Sequence, residues 1–164
     1  MVVAIGHELD GDPPLSVSGD LYETRIENWS RGAKTLDFLK HNLQAVYRNY
    51  NFDGLLLIGH SNGGDISSWL TNEGINYIHS VITLDHRRVP VPREENVNVL
   101  TIRGGDFPAD EGVLPSKGES TQYNICVKKI PGSRHNDMSD YGPKPLKDKI
   151  ANIVVNYLKG KSCD

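Results

Sequence analysis

Hydrophobic and polar positions follow two different patterns along the chain. Short, continuous apolar runs recur after turns, and each of them predicts a buried β-strand. In chain order these runs are MVVAI, LLLIGH, SVITLD, VNVLTIR and NICVKKI. Between them, apolar residues three to four positions apart predict amphipathic helices. Because strands and helices alternate, we predict an α/β protein with a mostly parallel sheet of about five strands flanked by helices.

Three helices are predicted from the apolar spacing. The first is long and carries its apolar side chains at Leu36, Leu39, Leu43, Val46 and Tyr50. A short helix follows LLLIGH and ends near Gly74, a residue type common just after a helix. The last helix covers about residues 145–159, because Pro145 suits a first turn and Gly160 suits a helix end.

Length and composition indicate one globular domain, residues 1–164. The chain has a net charge of −3 and is 37% hydrophobic, which is ordinary for a globular protein. It has no basic run, so we expect no nucleic-acid partner. No apolar stretch reaches the roughly 18 residues that a membrane span needs. The amino terminus has no signal-peptide pattern, and we therefore expect a cytoplasmic protein.

The two cysteines show no motif spacing. Cys126 lies in a predicted strand and Cys163 lies in a polar tail, 37 positions further along. We therefore predict two unpaired thiols rather than a disulfide, which favours a reducing compartment.

The segment LLLIGHSNGGDISSWL carries the strongest functional signal. It contains the pattern G-x-S-x-G, centred on Ser61 between a predicted strand and a predicted helix. A nucleophile elbow has this strand–turn–helix order, with glycines that clear the tight turn, here Gly59, Gly63 and Gly64. A phosphate-binding loop is the alternative, but the chain has neither GxGxxG nor Gly-Lys-Ser/Thr. The pattern therefore predicts that Ser61 is a nucleophile.

The chain resembles the α/β-hydrolase superfamily, in particular small bacterial lipases and esterases. The resemblance covers about residues 54–160 and rests on GHSNGG, VLTIRGGD and PGSRHNDMSD, in that order. It implies a nucleophile at Ser61, followed along the chain by an acid and then a histidine. It also implies that the backbone N–H of Asn62 is one donor of an oxyanion hole.

A catalytic serine needs a base, and the base needs a carboxylate that orients it. His135 is the histidine in the loop after the last predicted strand, where the resemblance places the base. Asp106 follows VLTIRGG and is the acid that the resemblance favours. Asp110 in the same loop and Asp85 at the end of SVITLD remain alternatives, because some relatives place the acid one strand earlier.

The resulting hypothesis is a serine hydrolase that cleaves a small carboxylic ester through an acyl-enzyme. A thioesterase or an amidase would use the same groups. No metal or organic cofactor is required, and the sequence contains no convincing ligand cluster. The alternative is a weak or inactive binding module with an incomplete oxyanion hole. The oligomeric state is not indicated by the sequence.

The front of the chain departs from the superfamily pattern, because only one predicted strand precedes Ser61. In one interpretation, MVVAIGHELDGDPPL corresponds to the strand after the usual oxyanion loop, and the chain lacks the preceding portion. The sheet would then have a gap or pair differently. In the other, the backbone around His7 and Glu8 supplies the second oxyanion donor.

The segment HRRVPVPR follows SVITLD and would lie at the carboxyl edge of the sheet, where open α/β folds bind ligands. Arg87 and Arg88 could therefore meet an anionic group of a substrate. The other interpretation is that they are solvated or bridge local carboxylates.

Overall fold

The computed structural model describes residues 1–163, in which helices and strands alternate as predicted. Within that range, no helix is both long and apolar enough to cross a membrane. A 3-10 turn at Glu23–Arg25 precedes the first helix, and a second one lies at His135–Asp137. The main elements are α1 (Ile26–Val46), β1 (Leu55–His60), α2 (Asn62–Asn72), β2 (Ile78–Leu84), β3 (Asn98–Arg103), α3 (Lys117–Gln122), β4 (Ile125–Lys129) and α4 (Lys144–Leu158).

The four strands form one parallel sheet in the order β1-β2-β3-β4. All four carboxyl ends therefore lie at the same edge, and the loops that follow them are neighbours in space. The predicted α/β class with a parallel sheet is confirmed, although the described sheet has four strands rather than about five.

Helices cover both faces of this sheet. On one face, Ala33 of α1 and Leu70 of α2 pack against apolar side chains of the strands, among them Val81 and Val99. On the other face, Ile150 and other apolar residues of α4 pack against a second row, which includes Ile82, Leu100 and Ile102. Alternate residues of β2 and β3 thus face opposite helices, as expected for a sheet buried on both sides.

The prediction of a strand at MVVAI is wrong. Residues 1–5 form no regular element, and Val2 is 97% exposed. Met1, Val2, Val3 and Ile5 line one cavity of about 470 Å³ together with residues of β1. Among the described residues, β1 pairs only with β2 and has no strand neighbour on its other side. An apolar run forms a strand only where a neighbouring strand can pair with its backbone N–H and C=O groups. Of the two outcomes expected for the sheet, a gap or a different pairing, the structure shows the gap.

The short helix α3 was not predicted. Its first turn has a capping box: Ser116 Oγ accepts the backbone N–H of Glu119 at 3.3 Å, and Glu119 accepts the N–H of Ser116 at 2.7 Å. The sequence Ser-x-x-Glu is the signal that would have found it.

The prediction of two unpaired thiols is also wrong, because Cys126 and Cys163 form a disulfide with a Cα–Cα distance of 5.6 Å. The physical reason lies in the tertiary structure, which brings the two cysteines together. α4 packs on the face of the sheet that includes the buried Cys126, and the tail after α4 returns to β4. The pairing removes the observation on which the expectation of a reducing compartment rested.

Candidate active site

Ser61 lies at the crest of a tight turn between β1 and α2. Its backbone has φ 52° and ψ −123°, a conformation that non-glycine residues rarely adopt. The turn is held from both sides: Ser61 donates its N–H to Leu84 O at 2.9 Å, and Ser61 O accepts the N–H of Gly64 at 2.9 Å. Strain of this kind persists only where the surrounding structure over-determines it, and it is concentrated at functional sites.

The glycines around Ser61 differ in whether a side chain would fit at their position. A Cβ on Gly59 would overlap the backbone carbonyl of Gly63, and a Cβ on Gly64 would lie 2.7 Å from His86 Cβ. At Gly63 itself, a Cβ would meet nothing within 4 Å. The steric need for glycine is therefore confirmed at two of the three predicted positions, and the prediction for Gly63 is wrong.

His135 meets the serine from the loop after β4. Its Nε2 lies 3.0 Å from Ser61 Oγ, which is hydrogen-bond distance. The backbone of His135 is fixed on both sides: its N–H donates to Asp106 Oδ1 at 2.7 Å, and its carbonyl lies 3.1 Å from His60 Nε2. The serine and histidine that the sequence singled out are thus brought together across 74 residues of chain.

The imidazole of His135 is also packed between two rings. The Phe107 ring centroid lies 4.0 Å from it and the His60 ring centroid lies 4.8 Å from it. Burial lowers the pKa of His60, with the positive charge of a protonated His135 as a smaller cause. His60 is therefore neutral near pH 7 and donates its Nε2–H to the carbonyl of His135.

The carboxylate at the imidazole is Asp85, not Asp106. Asp85 Oδ2 lies 3.1 Å from His135 Nδ1, whereas Asp106 contacts only the backbone N–H of His135. Asp110, the third candidate, pairs with the Arg87 guanidinium at 3.0 Å. The preference for Asp106 as the residue that contacts the ring is therefore wrong, and the alternative one strand earlier has the required geometry.

The strand order explains this correction. β2 is the direct neighbour of β1, so the residue after β2 emerges beside Ser61, while Asp106 follows a strand one position further away. Gly104 N donates to Asp85 Oδ1 at 2.8 Å, and a Cβ on Gly104 would lie 2.9 Å from Asp85 Oδ2. The first glycine of RGGD, the segment that leads to Asp106, thus makes room for Asp85.

Arg103 holds the same carboxylate from the end of β3. Its Nη2 lies 3.2 Å from Asp85 Oδ1, and its guanidinium also donates to the carbonyls of His86 and Phe107. Both side chains of this ion pair are buried. One oxygen of Asp85 thus has two donors from β3, and the other oxygen is left for His135.

Asn62 is the first residue of α2, so its backbone N–H has no acceptor within the helix and points toward the turn. Its side chain is held by α1: Trp29 Nε1 donates to Asn62 Oδ1 at 2.9 Å, and Asn62 Nδ2 donates to Asn28 Oδ1 at 2.8 Å. Sequence reasoning missed both α1 residues, since no local pattern links them to a residue more than 30 positions away.

The three side chains form a hydroxyl–imidazole–carboxylate series that can move a proton away from Ser61 Oγ. Within residues 1–163, no group of three or more histidine, cysteine, aspartate or glutamate side chains is placed to hold a metal ion. The chemistry that this arrangement offers is nucleophilic attack by an activated serine.

Comparison with known proteins identifies the fold. No family model matches the sequence, and no curated protein matches it. A structure from Thermoplasma acidophilum, described as a "predicted CIB-like hydrolase", has a TM-score of 0.55 and 18% identity over 87% of this chain. A carboxylesterase structure from the ammonia-oxidizing thaumarchaeon Nitrososphaera gargenis has a TM-score of 0.46 and 15% identity, covering 79% of this chain and 75% of that chain.

The chain spans 65% of the length of the Thermoplasma protein. The fold is α/β-hydrolase-like, as the resemblance in the sequence implied.

Proposed function

We propose that this protein is a serine hydrolase that cleaves a carboxylic ester through an acyl-enzyme intermediate. The observation that carries the proposal is the continuous series from Ser61 Oγ to His135 Nε2 at 3.0 Å and from His135 Nδ1 to Asp85 Oδ2 at 3.1 Å. Its members come from the ends of three different strands, so local sequence effects alone would not align them.

In the proposed first step, His135 Nε2 accepts the proton of Ser61 as Oγ attacks the ester carbonyl carbon. The carbonyl π electrons move to oxygen and give a tetrahedral oxyanion. As that intermediate collapses, the C–O bond to the alcohol breaks, and the imidazolium of His135 protonates the leaving alcohol. Asp85 stabilises the imidazolium and fixes the tautomer that presents Nε2 to the serine.

In the second step, His135 accepts a proton from water as the water oxygen attacks the acyl carbon. Collapse of the second tetrahedral intermediate breaks the bond to Ser61 Oγ, which recovers its proton, and the carboxylic acid is released. We assign the backbone N–H of Asn62 as an oxyanion donor, supported by its place at the amino terminus of α2, where the helix dipole favours negative charge. The substrate is then a small molecule, and thioesters and amides would use the same groups.

A second candidate function is a binding module with little or no catalysis. It is favoured by the side of β1 that faces away from β2, called here the open side of β1. There a cavity takes the place of a neighbouring strand that could carry a second oxyanion donor. Loss of one such donor lowers turnover by about 100- to 1,000-fold in a serine protease.

A fluorophosphonate probe, whose phosphorus is attacked by an activated serine with loss of fluoride, separates the two candidates. We expect labelling of the wild type, none of Ser61→Ala, and labelling at least about 100-fold slower for His135→Ala. His41→Ala is the matched control, since this exposed histidine lies on α1 and contacts the same helix.

Absence of labelling in a folded wild type would support the binding module. Equal labelling of His135→Ala and wild type would show that His135 is not the base.

A further inference from the structure

Two arginines are anchored one helical turn from the serine. Asp65 Oδ1 accepts the backbone N–H of Arg87 at 3.3 Å and that of Arg88 at 2.8 Å. Asp65 in turn donates its own N–H to Ser61 O at 3.2 Å. The loop after β2 is therefore tied directly to the turn that carries the proposed nucleophile.

The guanidinium of Arg87 lies one aromatic ring away from the proposed base. Its Cζ is 4.6 Å from the Phe107 ring centroid, and the His135 ring centroid lies 4.0 Å from the same ring. None of these three side chains is fully buried. A substrate positioned at Ser61 and His135 therefore has a cation within reach of its outer part.

Arg88 is a buried cation on which the negative charge of Asp65 acts, but Asp65 contacts its backbone N–H and not its guanidinium. Arg88 is 6% exposed, and its Nε is buried with no hydrogen-bond partner. Its guanidinium forms no ion pair within the described part of the chain. A buried guanidinium that contacts no carboxylate gains a direct ion pair when an anion binds beside it.

A third arginine belongs to the same group. Burial, followed by the positive charge of Arg88 and to a smaller extent that of Arg87, lowers the pKa of Arg25, and the negative charge of Asp65 opposes this shift. The side chain of Arg25 donates to the carbonyl of Ser16 at 2.9 Å and has no ion pair among residues 1–163.

The acidic groups nearby are already engaged or distant. Asp65 accepts three backbone N–H groups, from Arg87, Arg88 and Val89, and Asp110 pairs with Arg87 at 3.0 Å. Glu8 influences Arg25 only over a longer range than an ion pair. Two of the three arginines thus lack a contacting carboxylate.

We infer that Arg25, Arg87 and Arg88 form a subsite for a carboxylate group of the substrate, so that the preferred esters are anionic. This inference rests on the proposed function. Planar guanidinium groups match a carboxylate through paired N–H donors, and the partial burial of the subsite strengthens such hydrogen bonds. A neutral ester would leave Arg25 and Arg88 without a contacting carboxylate.

Two matched pairs of substrates test the inference. The first is p-nitrophenyl hemiglutarate against p-nitrophenyl pentanoate, which places the charge in the acyl part. The second is 4-acetoxybenzoate against its methyl ester, which places the charge in the alcohol part. The measured quantity is the ratio of kcat/KM for the anionic ester to that for the neutral ester, compared between wild type and variants so that intrinsic reactivity cancels.

For at least one pair, we expect Arg88→Gln and Arg87→Gln each to lower this ratio by about 10- to 100-fold, the effect of losing a hydrogen bond to a charged group. The kcat/KM for the neutral ester enters only as the denominator of this ratio. Arg48→Gln is the control, because Arg48 follows α1 and its side chain bonds only the carbonyl of Ala45. Raising the salt concentration should reduce the wild-type ratio, and should reduce that of Arg88→Gln by a smaller factor.

Arg88 is buried, so its variant must also be shown to melt like the wild type. If Arg88→Gln melts at a lower temperature, the ratios of Arg87→Gln and Arg25→Gln, two variants at partly exposed residues, test the subsite instead. Unchanged ratios in all arginine variants of an active enzyme would overturn the subsite and leave the proposed function standing. If no ester is hydrolysed faster by wild type than by Ser61→Ala, the proposed function itself fails, and the subsite with it.

Discussion

The carboxyl end of the sheet and the open side of β1 differ in how their side chains are satisfied. At the carboxyl end, polar groups such as Asp85 and Arg103 are buried and hydrogen-bonded to each other. Along the open side of β1, apolar side chains are exposed instead, and Ile58 is 54% exposed. β1 contributes to both regions, since Ser61 follows its last residue directly.

This difference shows which neighbours the candidate site depends on. Every contact of Ser61, His135 and Asp85 described above comes from β1, β2, β3, β4 or the segments that follow them. The open side supplies none of them. Ser61, His135 and Asp85 are therefore brought together without a strand on that side, and only the proposed oxyanion hole would gain from one.

The largest expected effect separates the two carboxylates at the carboxyl end. Asp85→Asn should lower kcat for an ester by about 10⁴-fold, because an amide cannot fix the reactive tautomer of His135 or stabilise its charge. Asp106→Asn, the matched control, should lower it less than about 10-fold, since Asp106 contacts only the backbone of His135. Steady-state kinetics on both variants gives the answer, and the reverse order would restore Asp106 as the acid.

The next largest expected effect is a difference in stability between a buried and an exposed position on one face of the sheet. Ile58 and Ile82 are register partners on β1 and β2, yet Ile82 is 0% exposed and Ile58 is not. Ile82→Ala should lower the free energy of unfolding by about 2–5 kcal/mol. Ile58→Ala should lower it by less than about 1 kcal/mol. Denaturant unfolding measures both, and equal losses would mean that something covers the open side of β1 in solution.

A somewhat smaller loss of stability is expected in the turn that joins the two regions. Gly59→Ala should destabilise the fold by about 3 kcal/mol, because the new methyl group overlaps the carbonyl of Gly63. Gly63→Ala places its methyl group in open space and should change stability by less than about 1 kcal/mol. Thermal melting of the two variants checks this, and a stable Gly59→Ala protein would contradict the close approach of β1 and α2.

The smallest effect concerns pH. Burial, together with the positive charge of Arg103, lowers the pKa of His86 from 6.5 to about 3. Between these values the unfolded chain binds a proton that the folded chain does not, so stability falls as the pH falls below 6.5. From pH 7 to pH 5, this group should account for a loss of about 2 kcal/mol.

The variant His86→Gln carries a neutral amide and should lose correspondingly less stability over the same interval. Unfolding in urea at each pH provides the measurement. Above pH 7 the histidine is neutral in both states, so the two proteins should show the same pH dependence there. Equal losses between pH 7 and pH 5 would show that His86 is not the buried, neutral group described.

Features set by short segments were predictable from the sequence alone. The apolar run of β1, the glycines that follow it and the spacing of α2 all lie within about 20 residues, and together they define the turn at Ser61. The stripe on α4 is equally local. His135 was found because it alone lies in a loop between the last predicted strand and the last helix.

Tertiary structure decided which distant groups meet. Asp85 and Asp106 both follow apolar strands, and only the order of those strands places Asp85 at the imidazole. The disulfide of Cys126 likewise depends on where the tail returns after α4. The apolar run at residues 1–5 has the composition of a strand, but pairing needs a neighbour that the fold does not provide there. Local propensity acts within a few residues, whereas hydrogen-bonded neighbours and packing partners are chosen by the whole chain.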